Sequence, residues 1–161
     1  MPERRVMSMR IRCLTLALLI AGKAAIADEV AHRPKVDFSM LPKLGQAWLA
    51  INPYRGNPEA ITVGQVTYGQ TCARCHGADA STNAAPAPDL RKLNAFCRRI
   101  ENAELNAACM RDNDAYFSKT VRQGKTIVGV VHMPAWDPVL PQELIWAVQS
   151  FIESRVEVFR R

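Results

Sequence analysis

Residues 71–77 read Thr-Cys-Ala-Arg-Cys-His-Gly, TCARCHG. Two thiols stand two residues apart, and an imidazole follows at once. A zinc site, a redox dithiol, a short disulfide ring or a porphyrin anchor can each use such a cluster. A zinc site takes four ligands, ordinarily with a second Cys or His pair at matched spacing. The remaining histidines, His32 and His132, are isolated and far apart. A thioredoxin-like dithiol opens a helix after a strand, whereas this motif follows a helix-like stretch. A disulfide between Cys72 and Cys75 closes a small strained ring.

The fourth use fits best, because Cys-x-x-Cys-His is the pattern of covalent c-type haem attachment. Two thiols add across the two vinyl groups on one edge of a porphyrin. Two intervening residues in a short helical turn separate the sulfurs enough to reach both. The next residue projects toward the haem face, so His76 presents a ring nitrogen to the iron. The motif occurs once, which predicts one haem c per chain.

The first residues agree with that use. Arg4, Arg5, Arg10 and Arg12 precede an apolar run, Cys13 to Gly22, that is too short to span a bilayer. Ala25-Ile26-Ala27 follows, an A-x-A cleavage site. Together these predict a secretory signal peptide over residues 1–27. Met7 or Met9 as the start would leave the signal complete. Its removal takes five of the 21 basic residues and one of the 15 acidic ones, so the formal charge falls from +6 to +2. Nothing in that balance suggests a nucleic-acid partner. The remaining 134 residues suffice for one domain with one core. Export predicts a periplasmic protein with no stable membrane insertion after cleavage. In that oxidising compartment Cys97 and Cys109 are expected to pair, with free thiols or metal ligation as the other options.

Two helices are expected around the motif. Asn57-Pro58-Glu59 is a helix start, with Asn as N-cap and Pro at the first position. Ile61, Val63, Tyr68 and Cys72 recur at helical spacing. Gly64 breaks helix propensity by about 1 kcal/mol relative to alanine, which a close helix–helix contact would explain. Residues 140–154, LPQELIWAVQSFIES, supply the partner, with Phe151 or Trp146 expected over Gly64. Asp112 or Asp114 is expected to cap a third helix that buries Tyr116, Phe117 and Val121 and stops at Gly124. Residues 125–132 read as a short extended stretch, and 77–87 as a surface loop. Residues 28–57 form an N-terminal extension whose Leu41, Leu44, Trp48 and Ile51 are spaced for a short helix. That extension packs on the domain or serves as a docking arm. The haem domain is assigned to residues 58–161.

The other haem face needs a ligand, and Val131-His132-Met133-Pro134 offers one. Met133 lies 57 positions beyond His76, and the following proline holds it in extended backbone. A thioether is a soft, uncharged ligand, and Met/His ligation raises the reduction potential. The competing readings are a gap-filling core methionine and ligation by His132.

Taken together, Gly64-x3-Tyr68-x3-Cys72-x2-Cys75-His76, Pro88, Leu90, Met133-Pro134 and Phe151 resemble the class I cytochromes c. The resemblance implies an all-α fold of three to five helices around one covalently bound haem. It also implies that the carbonyl of Pro88, 12 positions after His76, accepts a hydrogen bond from that histidine. Such bonds fix the tautomer and raise ligand basicity. A narrower resemblance, carried by NPYRGNPEAI, CARCHG, APDLRKL, DAYFSKTVRQGK and MPAW, is to the PedF-type cytochromes c. These are periplasmic carriers that serve PQQ-dependent alcohol dehydrogenases.

The expected function is therefore that of a monomeric one-electron carrier, not an enzyme. The donor implied is a PQQ-dependent alcohol dehydrogenase, and the acceptor an oxidase or another cytochrome of the respiratory chain. Arg91, Lys92, Arg111, Lys119, Arg122 and Lys125 are candidate charges around a docking rim. The alternatives are a fixed cytochrome subunit of a periplasmic oxidoreductase and a haem-based sensor, both of which need a sixth position that opens.

Overall fold

The computed structural model describes residues 31–82 and 87–155. The signal-peptide reading of residues 1–27, and part of the loop expected over 77–87, lie outside the described residues. The elements run α1 (Pro58–Thr71), α2 (Ala73–His76), two 3-10 turns (Leu90–Lys92 and Cys97–Arg99), α3 (Ala103–Gln123), β1 (Lys125–Ile127), β2 (Val130–Met133) and α4 (Gln142–Ser154). The architecture is mostly helical, as the class I resemblance implies, with one two-stranded antiparallel hairpin added.

The pairing of α1 with α4 organises the molecule. Asn57 caps α1, its side chain accepting from the amide of Ala60 at 2.8 Å, and Pro58 opens the first turn. The buried side of α1 carries Ala60, Val63, Gly64, Thr67 and Tyr68. Helix α4 is buried from Leu144 to Ile152 on every side, so it is the central element of the core. Contact between the two is closest at Gly64. A Cβ there would lie 2.0 Å from the carbonyl oxygen of Ala147 and 3.0 Å from Cβ of Phe151. Of the two aromatic residues expected at this crossing, Phe151 is the one present, its ring centroid 5.1 Å from that of Tyr68. Trp146 points elsewhere and meets Trp48 edge-on at 6.3 Å.

Three expectations are corrected. Helix α3 does not begin at Asp112 or Asp114. It begins about three turns earlier, with Asn102 as N-cap accepting from the amide of Leu105 at 3.0 Å. The polar stretch between the two cysteines is α-helical from Ala103 onward, because a better cap stands upstream and no breaker interrupts it. Asp114 is instead fully buried, accepting from the amide of Asn52 (3.1 Å), from Nε2 of Gln149 (2.8 Å) and from the guanidinium of Arg55. Second, residues 41–56 form turns and irregular structure rather than a helix. Leu41 and Tyr54 are buried with the core, Leu44 and Trp48 pack against it, and Ile51 is exposed. Side-chain bonds hold the segment without a helix: Arg55 pairs with both Asp114 and Glu153, and Asn52 Nδ2 donates to Oγ of Ser150 at 3.1 Å. Third, Phe117 and Val121 are buried, but Tyr116 is exposed, its hydroxyl 2.8 Å from Nζ of Lys125.

Cys97 and Cys109 form a disulfide that fastens the second 3-10 turn to α3, with the Cα atoms 5.5 Å apart. Replacing both with serine is expected to lower stability by roughly 3 kcal/mol on the loop-closure estimate. Denaturant midpoints on the purified protein check this. A loss below about 1 kcal/mol would mean that α3 keeps the loop closed without the bond.

Candidate haem site

Helix α1 ends where the motif begins. The amide of Cys72 donates to the carbonyl of Tyr68 at 2.8 Å, and the amides of Cys75 and His76 both donate to the carbonyl of Cys72, at 3.2 and 3.0 Å. The motif is thus a single helical turn, α2, appended to α1. Gly77 follows at φ 76°, where its carbonyl accepts from the hydroxyl of Tyr68 at 2.8 Å. Tyr68 is fully buried, and this bond ties the end of the motif back to the core helix.

Cys72 and Cys75 are free thiols, the first half-buried and the second exposed. Burial pushes the Cys72 thiol up to about 11, the hydrogen bond from Thr71 opposing. It is a neutral thiol at physiological pH. His76 Nδ1 lies 3.1 Å from the carbonyl oxygen of Pro88. A carbonyl only accepts, so Nδ1 carries the proton and donates. Burial lowers the histidine's pKa, the Pro88 bond opposing, which keeps the ring neutral. A neutral ring with its proton on Nδ1 leaves the lone pair on Nε2 available.

These residues line one cleft. Its walls carry Cys72, Cys75 and His76 from the motif, Ala87, Pro88, Leu90 and Leu93 from the segment beyond the loop, and Phe117, Thr120 and Val121 from α3. Val148 and Ile152 of α4 and Met133, Pro134 and Trp136 of the segment after the hairpin complete it. The lining is mostly apolar, with Phe117, Val121, Trp136, Val148 and Ile152 all buried. Residues picked from the sequence at positions 72, 75, 76, 88 and 133 therefore meet at one site, and His132 reaches it too. Cys97 and Cys109 lie elsewhere, in their disulfide. Sequence reading missed Leu93, Thr120 and Trp136 as wall residues. Trp136 carried the one available signal, an aromatic three positions after Met133.

The donor set suits a flat, apolar, iron-holding group. Two uncommitted thiols, one neutral imidazole with a free nitrogen and one thioether stand in a mostly apolar cleft. Soft sulfur and imidazole donors fit haem iron and not a hard cation. Among the described residues, no group of three or more His, Cys, Asp and Glu side chains could hold a separate metal ion.

The hairpin places Met133. β1 and β2 pair antiparallel, with Ile127 opposite Val130 across the turn residues Val128 and Gly129, both at positive φ. Two such residues give the turn that matches strand twist. Gly124 ends α3 at φ 69°, and a Cβ there would lie 2.3 Å from the carbonyl oxygen of Met133 and 2.8 Å from the amide nitrogen of Ala135. No other residue allows the chain to pass so close.

Comparison with known proteins places this arrangement. Residues 59–152, more than half of the chain, match the family model described as cytochrome C oxidase, cbb3-type, subunit III. The chain belongs to that family and is a class I c-type cytochrome. It is 34% identical over 145 residues to cytochrome c550 of Pseudomonas aeruginosa strain PAO1, covering 88% of this chain and 90% of that one. Among solved structures, cytochrome CL of the marine methylotroph Methylophaga aminisulfidivorans aligns over 78% of this chain and 80% of its own, with a TM-score of 0.44 and 18% identity. That last similarity is too distant to carry an inference. The protein is accordingly an electron carrier rather than an enzyme, and its cofactor is covalently bound haem c. Among the described residues, no helix is long and apolar enough to cross a membrane.

Proposed function

We propose that the protein is a periplasmic, monomeric carrier whose Cys72 and Cys75 make the thioether bonds and whose His76 and Met133 are the axial ligands. It takes electrons from a PQQ-dependent alcohol dehydrogenase and delivers them to the respiratory chain through an oxidase or another cytochrome. The observation that carries this reading is the convergence of four donors, three from one five-residue motif and one 57 positions further on, on one apolar cleft.

Cys72 and Cys75 would hold the haem through two thioether bonds. When bound, the haem iron supplies the one-electron couple. The chain's residues supply the rest. The Pro88 carbonyl holds the His76 ring in one tautomer and orientation. Phe117, Val121, Trp136, Val148 and Ile152 keep water out and lower the local dielectric. With His76 and Met133 both holding the iron, the chain would leave no place for a substrate, which suits transfer and not catalysis. Exposed Cys75, Ile127 and His132 mark the open side of the cleft, where a partner would approach. Of the candidate rim charges, Lys125 lies on the cleft wall itself, whereas Arg91 pairs with Asp89 and Arg122 with Asp137.

Two measurements test the reading. The mass of the mature exported protein should exceed that of the polypeptide by one haem. Mixing the ferric protein with a PQQ-dependent alcohol dehydrogenase and its alcohol should reduce it, at a rate that falls with ionic strength as charge steering is screened. Absence of the added mass removes the haem assignment to these thiols. Absence of reduction by any such enzyme removes the donor alone.

A further inference from the structure

The stretch carrying Met133 is gripped by the last turn of α3. The amide of Trp136 donates to the carbonyl of Val121 at 3.0 Å, and that of Asp137 to the carbonyl of Arg122 at 3.3 Å. The side chains repeat the link, Arg122 Nε donating to Oδ1 of Asp137 at 2.9 Å and Nη2 to Oδ2 at 3.2 Å. A two-bond fork of this kind fixes the planes of both groups. The guanidinium in turn lies on a ring from far away in sequence: its carbon stands 4.1 Å from the centroid of Trp48.

Trp48 is itself held. Buried Gln142 Nε2 donates to the carbonyls of Gly45 (2.8 Å) and Ala47 (3.0 Å), and its Oε1 accepts from the amide of Leu49 at 3.3 Å. The amide of Leu44 donates to Glu143 at 2.9 Å, and Trp146 backs the indole at 6.3 Å. So the N-terminal segment is fastened to α4 on both sides of Trp48, and the indole reaches across to Arg122. We infer that Trp48 and Arg122 are positioning residues for Met133: the N-terminal segment is a buttress that holds the methionine segment closed against the cleft. This rests on the reading of Met133 as an axial ligand. It gives residues 44–49 a task other than docking.

The test uses the haem-loaded protein matured in a competent host. Ferric Trp48→Leu, Arg122→Gln and Arg122→Lys are titrated with imidazole, which competes with the thioether, and the near-infrared sulfur-to-iron band is recorded. Loosening the segment should make imidazole bind about fivefold tighter in Trp48→Leu and Arg122→Gln, the factor that a partly exposed cation–ring contact converts to. Arg122→Lys, which keeps the charge and loses the fork, should fall between. The double variant should add little to either single one, because both act through one contact. Arg55→Gln loosens the same N-terminal segment where it contacts α3 and α4, away from residues 133–137, and should leave imidazole affinity at the wild-type value. Wild-type affinity in the Trp48 and Arg122 variants overturns the inference, as does an equal effect in Arg55→Gln. If Met133→Ala keeps the band and the wild-type imidazole affinity, the ligand reading itself is overturned, and this inference with it.

Discussion

Met133→Ala should abolish the near-infrared sulfur-to-iron band of the ferric protein and lower its reduction potential. The band requires a thioether on the iron, and Met/His ligation holds the potential up. Met133 ends β2, half-buried on the cleft wall, with Pro134 directly behind it. Its backbone carbonyl is pressed against Gly124, so the segment has little freedom to offer a different side chain at the same place. His132 is the competitor within reach, because it too reaches the cleft. The two are separated by a matched variant. His132→Ala should leave band and potential as in the wild type. A band that survives in Met133→Ala removes Met133 from the iron, and a wild-type protein without the band whose potential shifts in His132→Ala gives the position to His132.

The second large effect is on the fold. Gly64→Ala should destabilise by about 2 kcal/mol, and Gly64→Leu by more than about 4. Alanine gains about 1 kcal/mol of helix propensity over glycine. Against that stands a Cβ 2.0 Å from the Ala147 carbonyl oxygen and 2.5 Å from its carbonyl carbon. Both are backbone atoms of the central helix, and no rotamer change relieves the clash. The helices must separate, which costs about 3 kcal/mol at the upper end of the overpacking range. Leucine forces a separation the width of a side chain and breaks the Tyr68–Phe151 contact beside it. Since a domain's stability totals about 5–15 kcal/mol, Gly64→Leu should leave a large unfolded fraction and a poor yield of haem-loaded protein. Denaturant midpoints for the alanine variant, and the haem-to-protein absorbance ratio for the leucine variant, check this. Wild-type stability in Gly64→Ala would show that the helices can shift apart without loss.

Legibility followed the range of the interactions. Asn57, Pro58 and Gly124 act on backbone within a turn or so of themselves, and the start of α1 and the end of α3 were readable from them. The start of α3 was not, because Asp112 and Asp114 have the chemistry of caps wherever they stand. Asp114 became a buried acceptor only because Arg55 and Gln149 arrive from other parts of the chain. The helix expected over residues 41–51 failed for a related reason. Apolar spacing showed which residues pack, but side-chain bonds from Gln142 and Glu143 satisfied the backbone in place of helical ones.

The amino-acid sequence by itself determined the chemical character of this protein. Cys72, Cys75 and His76 are fixed relative to one another by one helical turn, so their use is a local property that spacing alone conveys. Tertiary structure decided what that motif faces. Bringing Met133 into the same cleft depends on Gly124 ending α3 without a side chain, on a two-residue turn reversing the hairpin and on Trp136 bonding back to Val121. Which aromatic ring fills the α1–α4 crossing, and that Trp48 lies on Arg122, were also set there. The two ring contacts join residues more than 70 positions apart, and they exist only once the helices have packed.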